Sequence, residues 1–276
     1  MDTDNKFTSK IFAFMQGQRV LVTGGVNGIG KVIVREFAKA RAKVVIADLD
    51  VEAGKRFSLQ LNDLGGDTRF VEANLQNPYD LENIVVKTVN YFGGLDAVVN
   101  NARPFLSPIP FPENMVEWDL SLDVMLKAPA FIIGHALPFL EKSEFGSVVN
   151  MSSTNAFTVS QQSVSYHVAK AGLIHLTRCL ADELGPKGVR VNALCPGLVD
   201  QEDMELALTN DPRNQKIVET IVPLQRACSP IEIAAMVAFL CSPASAYING
   251  QAITMDGGMS AVDQFRVATD ILDVHS

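Results

Sequence analysis

Four cysteines and four histidines in 276 residues offer little to a metal. Cys179, Cys195, Cys228 and Cys241 contain no C-x-x-C pair, and no cluster has metal-ligand spacing. They are expected to be reduced thiols of a cytoplasmic protein, with no metal bound. Basic residues are in deficit, 23 Lys and Arg against 31 Asp and Glu, for a net charge of −8. Neither a nucleic-acid footprint nor an anionic membrane surface is expected as a partner. No apolar run approaches the length of a membrane span. The N-terminus, Met1-Asp2-Thr3-Asp4-Asn5-Lys6, lacks the apolar core of a signal peptide. There is no Pro/Ser-rich linker, internal repeat or low-complexity tract, so a single domain over 1–276 is expected. Residues 1–16 would form an N-terminal extension and 259–276 a C-terminal tail.

What is present is an alternation of two periodicities. Apolar, strand-like runs occur at 19–23, 43–48, 68–73, 95–99, 146–151, 189–195 and 251–255. Helical stretches separate them at about 29–40, 51–64, 78–91, 113–141, 164–185 and 230–241. Seven strands alternating with helices predict an α/β fold with a parallel, doubly wound, Rossmann-type sheet in three layers, α/β/α. One stretch, 198–229, is longer than an ordinary connection.

The first run ends in a glycine cluster, Thr23-Gly24-Gly25-Val26-Asn27-Gly28-Ile29-Gly30, and leads into a helical pattern. Strand, Gly-rich turn and helix together are the context of a dinucleotide site. Gly24 can make the tight turn, Gly28 admits a pyrophosphate against the backbone, and Gly30 permits close packing of helix on strand. The Gly24–Gly28 spacing is wider than in G-x-G-x-x-G. The second run ends in Asp48, 24 positions after Gly24, where a ribose-binding carboxylate is expected. Asp48 would repel a 2′-phosphate, and Val26, Asn27 and Leu49 supply no cation beside it, which favours NAD over NADP. A helix cap is the other use of such an aspartate. Further along, Tyr166 and Lys170 stand four residues apart, on one helix face, with Ser153 thirteen residues before the tyrosine. An ammonium beside a phenol favours the phenolate, and a serine hydroxyl can hold a substrate oxygen next to it.

From about Gly17 to Gly258 the chain resembles the short-chain dehydrogenase/reductase family, in the subgroup of about this length. The glycine turn is similar to the family's cofactor turn, and Asn100-Asn101-Ala102 to its Asn-Asn-Ala-Gly element. Ser153, Tyr166 and Lys170 match its catalytic trio, Cys195-Pro196-Gly197 its Pro-Gly turn, and Asp256-Gly257-Gly258 its closing element. The resemblance implies hydride transfer between an alcohol or ketone carbon and NAD, with Tyr166 as general acid/base. Lys170 would bind the nicotinamide ribose, and Ser153 the reacting oxygen. It also places Asn27, Ile29, Asn74, Leu75, Asn100 and Val199 around the cofactor. Asn155 and Met204 would meet the substrate, within a mobile segment at 198–229 whose Leu206, Leu208 and Ile217 line or cover the pocket. The same resemblance implies a homotetramer, or a dimer, with the tail residues Val262, Phe265, Val267, Ile271 and Leu272 packing across a neighbouring subunit.

Three positions depart from the family. Met125 stands where an asparagine helps carry a proton relay to the lysine, and a thioether cannot replace an amide's hydrogen bonds. Pro129 has no N–H for the Met125 carbonyl, so a water could still bind there. Arg103 replaces a glycine, and either pairs with an anionic group on the substrate or serves as a structural ion pair or solvated cation. Gln201 replaces a threonine after the Pro-Gly turn. A non-catalytic NAD-binding regulator is the alternative these departures favour; retention of Ser153, Tyr166 and Lys170 together opposes it.

Overall fold

Runs of Val, Ile, Leu and Ala that are buried on both faces become the inner strands of one parallel sheet, and its edge strands are partly exposed. The computed structural model of the chain describes residues 10–104, 114–200, 212–263, 265, 267 and 269. The strands are β1 (Arg19–Thr23), β2 (Lys43–Asp48), β3 (Asp67–Glu72), β4 (Ala97–Asn100), β5 (Ser147–Met151), β6 (Arg190–Pro196) and β7 (Ala252–Met255). Their order in space is β3-β2-β1-β4-β5-β6-β7, every pairing parallel. The direction of winding reverses between β1 and β4. In such sheets the crevice at that switch point, beyond the carboxyl ends of the strands, is where ligands bind.

The helices are α1 (Gly28–Lys39), α2 (Val51–Asp63), α3 (Pro78–Phe92), α4 (Met115–Leu122), α5 (Ala128–Leu140), α6 (Val164–Leu184), α7 (Pro212–Ile221) and α8 (Pro230–Cys241). Ile33 and Phe37 of α1 and Ile233 and Val237 of α8 cover one face of the sheet. Leu81 and Ile84 of α3, Ile132 and Ile133 of α5 and Leu184 of α6 cover the other. The extension before β1 joins the first layer: Phe12 meets the Phe37 ring edge-on, with centroids 6.5 Å apart, and Met15 is fully buried.

Two features differ from the sequence expectation. The helix expected over 113–141 is interrupted by a wide turn at Asp123–Lys127. Its cause is local: Pro129 carries no N–H, so the helical bond to the Met125 carbonyl cannot form and the backbone widens. Taken together, Met115–Leu140 is nonetheless long and apolar enough to cross a membrane, contrary to the absence of any such run. Here Ala128, Ile132, Ile133, Ala136 and Leu140 pack into the core, as in a helix that covers a sheet. Val267 is 8% exposed and lines this chain's own cleft, while Phe265 is exposed. Ile271 and Leu272 lie outside the described residues, as do Gln201, Met204, Leu206 and Leu208.

Candidate active site

The carboxyl ends of β1, β2, β4, β5 and β6 open into one cleft of about 1600 Å3. The glycine turn forms its first wall. Gly24 has φ +65° and Gly28 φ +52°, left-handed values that disfavour a side chain. A Cβ on Gly30 would collide with the Gly24 carbonyl oxygen and the Asn101 amide. The crowding comes from Asn101, whose Nδ2 donates to the carbonyls of Thr23 and Gly24 at 3.1 and 2.8 Å. In return the Thr23 hydroxyl accepts from the amides of Asn101 and Ala102. The turn after β1 is thus tied to the end of β4. Asn27 begins α1 without a side-chain cap, which leaves the first amides of the helix to an anion in the cleft. Asn27, Gly28 and Ile29 all line it.

At the end of β2 the Asp48 carboxylate is fixed by two amides. Oδ2 accepts from Val26 at 3.1 Å and Oδ1 from Asp50 at 3.3 Å. Asp48 is therefore not the helix cap; Asp50 caps α2, accepting from the Ala53 amide at 3.0 Å. Asn74 and Leu75 line the cleft after β3 and Val199 after β6. Asn100 does not. Its amide is buried and donates to Asn150 Oδ1 at 2.8 Å, so the cleft at the end of β4 belongs to Asn101, Ala102 and Arg103.

Ser153, Tyr166 and Lys170 meet on the wall formed by β5 and α6. The Ser163 hydroxyl caps α6 by accepting from the Tyr166 amide at 3.3 Å, which places the tyrosine in the first turn and the lysine one turn deeper. Lys170 Nζ lies 5.6 Å from the Tyr166 ring centroid. Two bonds stitch this turn to the strand: Lys170 Nζ donates to the Met151 carbonyl at 2.7 Å, and the Ser152 hydroxyl donates to the Lys170 carbonyl at 2.9 Å. Ser153 begins a short helical turn, its hydroxyl accepting from the Asn155 amide at 3.2 Å. Asn155 lines the cleft and donates to Ser160 Oγ at 2.9 Å. His167 holds that loop in place, with Nδ1 donating to the Ser163 carbonyl at 2.7 Å and Nε2 accepting from the Ser160 amide at 3.0 Å.

Burial pushes the Lys170 ammonium down from 10.5 to about 7, and the Arg103 charge adds to the effect. Cys195 is the counterweight but carries little charge, since burial raises its thiol to about 11. The consequence for stability has a definite sign. Between about pH 7 and 10.5 an unfolded lysine is protonated and the folded one is not, so unfolding takes up a proton and stability rises with pH. Below that window the folded protein bears the full cost of a buried charge. Lys170→Met is therefore expected to raise Tm by several degrees at pH 6, with the gain fading by pH 10.5. Differential scanning calorimetry across pH measures it, and a pH-independent gain would contradict it.

Several lining residues escaped the sequence reading. Asn214, Ile217, Val218 and Ile221 of α7 face the cleft, with Met259 and Val267 beside them. Their spacing of i, i+3, i+4 and i+7 is an amphipathic stripe that could have found them; only Ile217 was expected. The tail residue Val267 carries no comparable signal.

A family model described as enoyl-(acyl carrier protein) reductase matches residues 24–260. An uncharacterized oxidoreductase of Bacillus subtilis, YxjF, is 36% identical over 264 residues, spanning 90% of this chain and 100% of the relative. The 3-oxoacyl-[acyl-carrier-protein] reductase FabG of Aquifex aeolicus is 35% identical over 246 residues, spanning 89% and 98%. Among solved structures, one described as a short-chain alcohol dehydrogenase from Sinorhizobium meliloti superposes with a TM-score of 0.82 at 30% identity. It covers 90% of this chain and 98% of its own. A seven-stranded parallel sheet, a glycine turn at its switch point and relatives of this kind along nearly the whole chain have one reading: the protein is an oxidoreductase of the short-chain dehydrogenase/reductase family.

Proposed function

We propose that the protein is an NAD-dependent, cytoplasmic dehydrogenase or reductase that interconverts an alcohol and its carbonyl compound, with Tyr166 as general acid/base. One observation carries the reading: Ser153, Tyr166 and Lys170 share a cleft with a side-chain-free glycine cradle and a fixed carboxylate. The residues present fit a dinucleotide, since Gly24, Asn27, Gly28 and Ile29 line the cleft at the uncapped start of α1, where a pyrophosphate would meet backbone amides. A bound nicotinamide supplies or accepts the hydride. Tyr166 Oη takes the alcohol proton in oxidation and returns it in reduction. Lys170 stabilises the phenolate and orients the ribose, and the Ser153 hydroxyl holds the reacting oxygen. A panel of alcohols and ketones offered with NAD or NADP, followed by nicotinamide absorbance, tests the reading; no turnover with any member would count against it.

The substrate class is part of the proposal. Arg103 lines the cleft at the end of β4, close enough for its charge to act on Lys170. Two cations beside the reacting carbon support an anionic group on the substrate, a hydroxy or keto acid. Arg103→Gly is expected to raise KM for acidic substrates by about 10–100-fold and leave neutral alcohols unchanged. Equal losses in both classes would make the arginine structural or a cofactor contact. Association into a closed homotetramer also belongs to the proposal, supported by the exposed Val116 and Phe131 on α4 and α5 and Val164 and Val168 on α6. Sedimentation of a stable monomer at micromolar concentration would refute it.

A further inference from the structure

Beside Tyr166 the cleft is walled by a strap without regular secondary structure, Thr158 to Gln162, whose residues are exposed and all line the cleft. Its near end is fastened at Thr158, whose amide and hydroxyl donate to the Thr154 carbonyl at 3.0 and 3.1 Å. Among the described residues, the two hydrogen bonds that tie the rest of the strap to the chain both end on Ser160. Its Oγ accepts from Asn155 Nδ2 at 2.9 Å, and its amide donates to His167 Nε2 at 3.0 Å. An exposed segment with so few anchors opens easily unless each of them holds.

The partners of His167 fix the form of its ring. The Ser163 carbonyl, 2.7 Å from Nδ1, can only accept, so Nδ1 carries the hydrogen. The Ser160 amide can only donate, so Nε2 offers its lone pair. The imidazole is therefore neutral, and both nitrogens are in use. Ser163 is itself the cap of α6, so the ring hangs from the same turn that places Tyr166. From Ser160 the constraint passes on to the reacting end of the cleft. Asn155, which donates to Ser160, lies in the short turn Thr154–Ala156, and its own amide donates to the Ser153 hydroxyl at 3.2 Å. That bond takes one lone pair of Ser153 and leaves the hydroxyl hydrogen for a substrate oxygen.

We propose that His167 is a positioning residue for the substrate. Through the Ser160 amide it holds the strap as a fixed wall of the cleft, and through Asn155 it steadies the turn that presents Ser153. The inference deepens the proposed function and rests on it, since what is positioned is the substrate between Ser153 and Tyr166.

Two variants separate the two bonds of the ring. His167→Asn keeps a donor where Nδ1 stands and loses the acceptor, whereas His167→Gln keeps an acceptor where Nε2 stands and loses the donor. Both remove the edge contact with the Tyr166 ring, so the difference between them reads the Ser160 bond. Hydrogen exchange of the full chain, followed by mass spectrometry on peptides spanning 155–163, is expected to be at least about fivefold faster in His167→Asn, the worth of one neutral hydrogen bond. In His167→Gln it should stay close to that of the unsubstituted protein. Kinetics on the fastest substrate of the panel should follow the same order: KM about 5–10-fold higher in His167→Asn with kcat within about twofold, and most of the KM recovered in His167→Gln. Ser160→Ala, at an exposed position, serves should a His167 variant fail to fold. It cuts the link to Asn155 but keeps the amide on His167, so KM should rise while the exchange stays slow. Exchange that is unchanged in His167→Asn, or equally fast in both His167 variants, overturns the inference, as does a loss confined to kcat. The expected exchange pattern in a protein that turns over no member of the panel would count against the proposed function and leave the anchoring by His167 standing.

Discussion

Tyr166→Phe is expected to lower turnover by at least ~10²-fold while dinucleotide binding survives. The substitution removes one oxygen and keeps the ring. The packing around it is set by elements that the hydroxyl does not touch: the Ser163 cap on the Tyr166 amide and the edge contact with the His167 ring, with centroids 6.1 Å apart. Lys170 keeps its bond to the Met151 carbonyl. On the proposed reading, dinucleotide affinity depends on the glycine turn after β1 and on Asp48 at the end of β2, away from β5 and α6. The separation of effects is what distinguishes proton transfer from scaffolding. A residue that merely filled the wall would change KM and stability with little effect on kcat. Lys170→Ala, by contrast, is expected to impair both binding and turnover, since in the proposed mechanism the ammonium serves ribose and phenolate alike. Steady-state kinetics on a substrate from the panel, with a calorimetric titration of NAD on each variant, separates the cases. Near-normal turnover in the phenylalanine variant would rule out Tyr166 as the acid/base group.

Much of the frame was legible because each signal was local. The β1–turn–α1 unit needs only an apolar run, glycines and an amphipathic helix, and it appears within a residue or two of the expected bounds. Lys43–Asp48 likewise appears where the alternation puts it. The misses share a different cause, which is that their meaning is set by distant parts of the chain. Asn100 reads as a cofactor residue because it stands beside Asn101 and Ala102. Strand alternation nonetheless turns its side chain to the opposite side, where it donates to Asn150 Oδ1. Val267 lines the cleft from a tail with no motif, and nothing in its neighbourhood in sequence announces where the tail returns. Arg103 lay between these cases. Its replacement of a glycine marked it, but only the fold shows its charge acting on Lys170.

NAD is expected to bind at least about 10²-fold more tightly than NADP. Asp48 is held rigidly, one oxygen by the Val26 amide and the other by the Asp50 amide. It therefore cannot swing aside to admit a phosphate at the ribose 2′ position. Asp50 adds a second carboxylate nearby, and it already occupies the N-terminus of α2, a place that otherwise favours an anion. No cation compensates within the turn, where Val26 is buried and Asn27 follows, or at Leu49, which is 65% exposed and carries no charge. A like-charge contact of this kind costs several kcal/mol, and every 1.4 kcal/mol is tenfold in affinity. With the 2′-hydroxyl of NAD the same carboxylate gains a charge-assisted bond instead. Asp48→Ser should weaken NAD modestly and strengthen NADP, narrowing the gap from both sides. Calorimetric titration of both dinucleotides against the two proteins decides it. NADP binding as tight as NAD to the unsubstituted protein would mean that the carboxylate does not face the ribose, and that some other group reads the 2′ position.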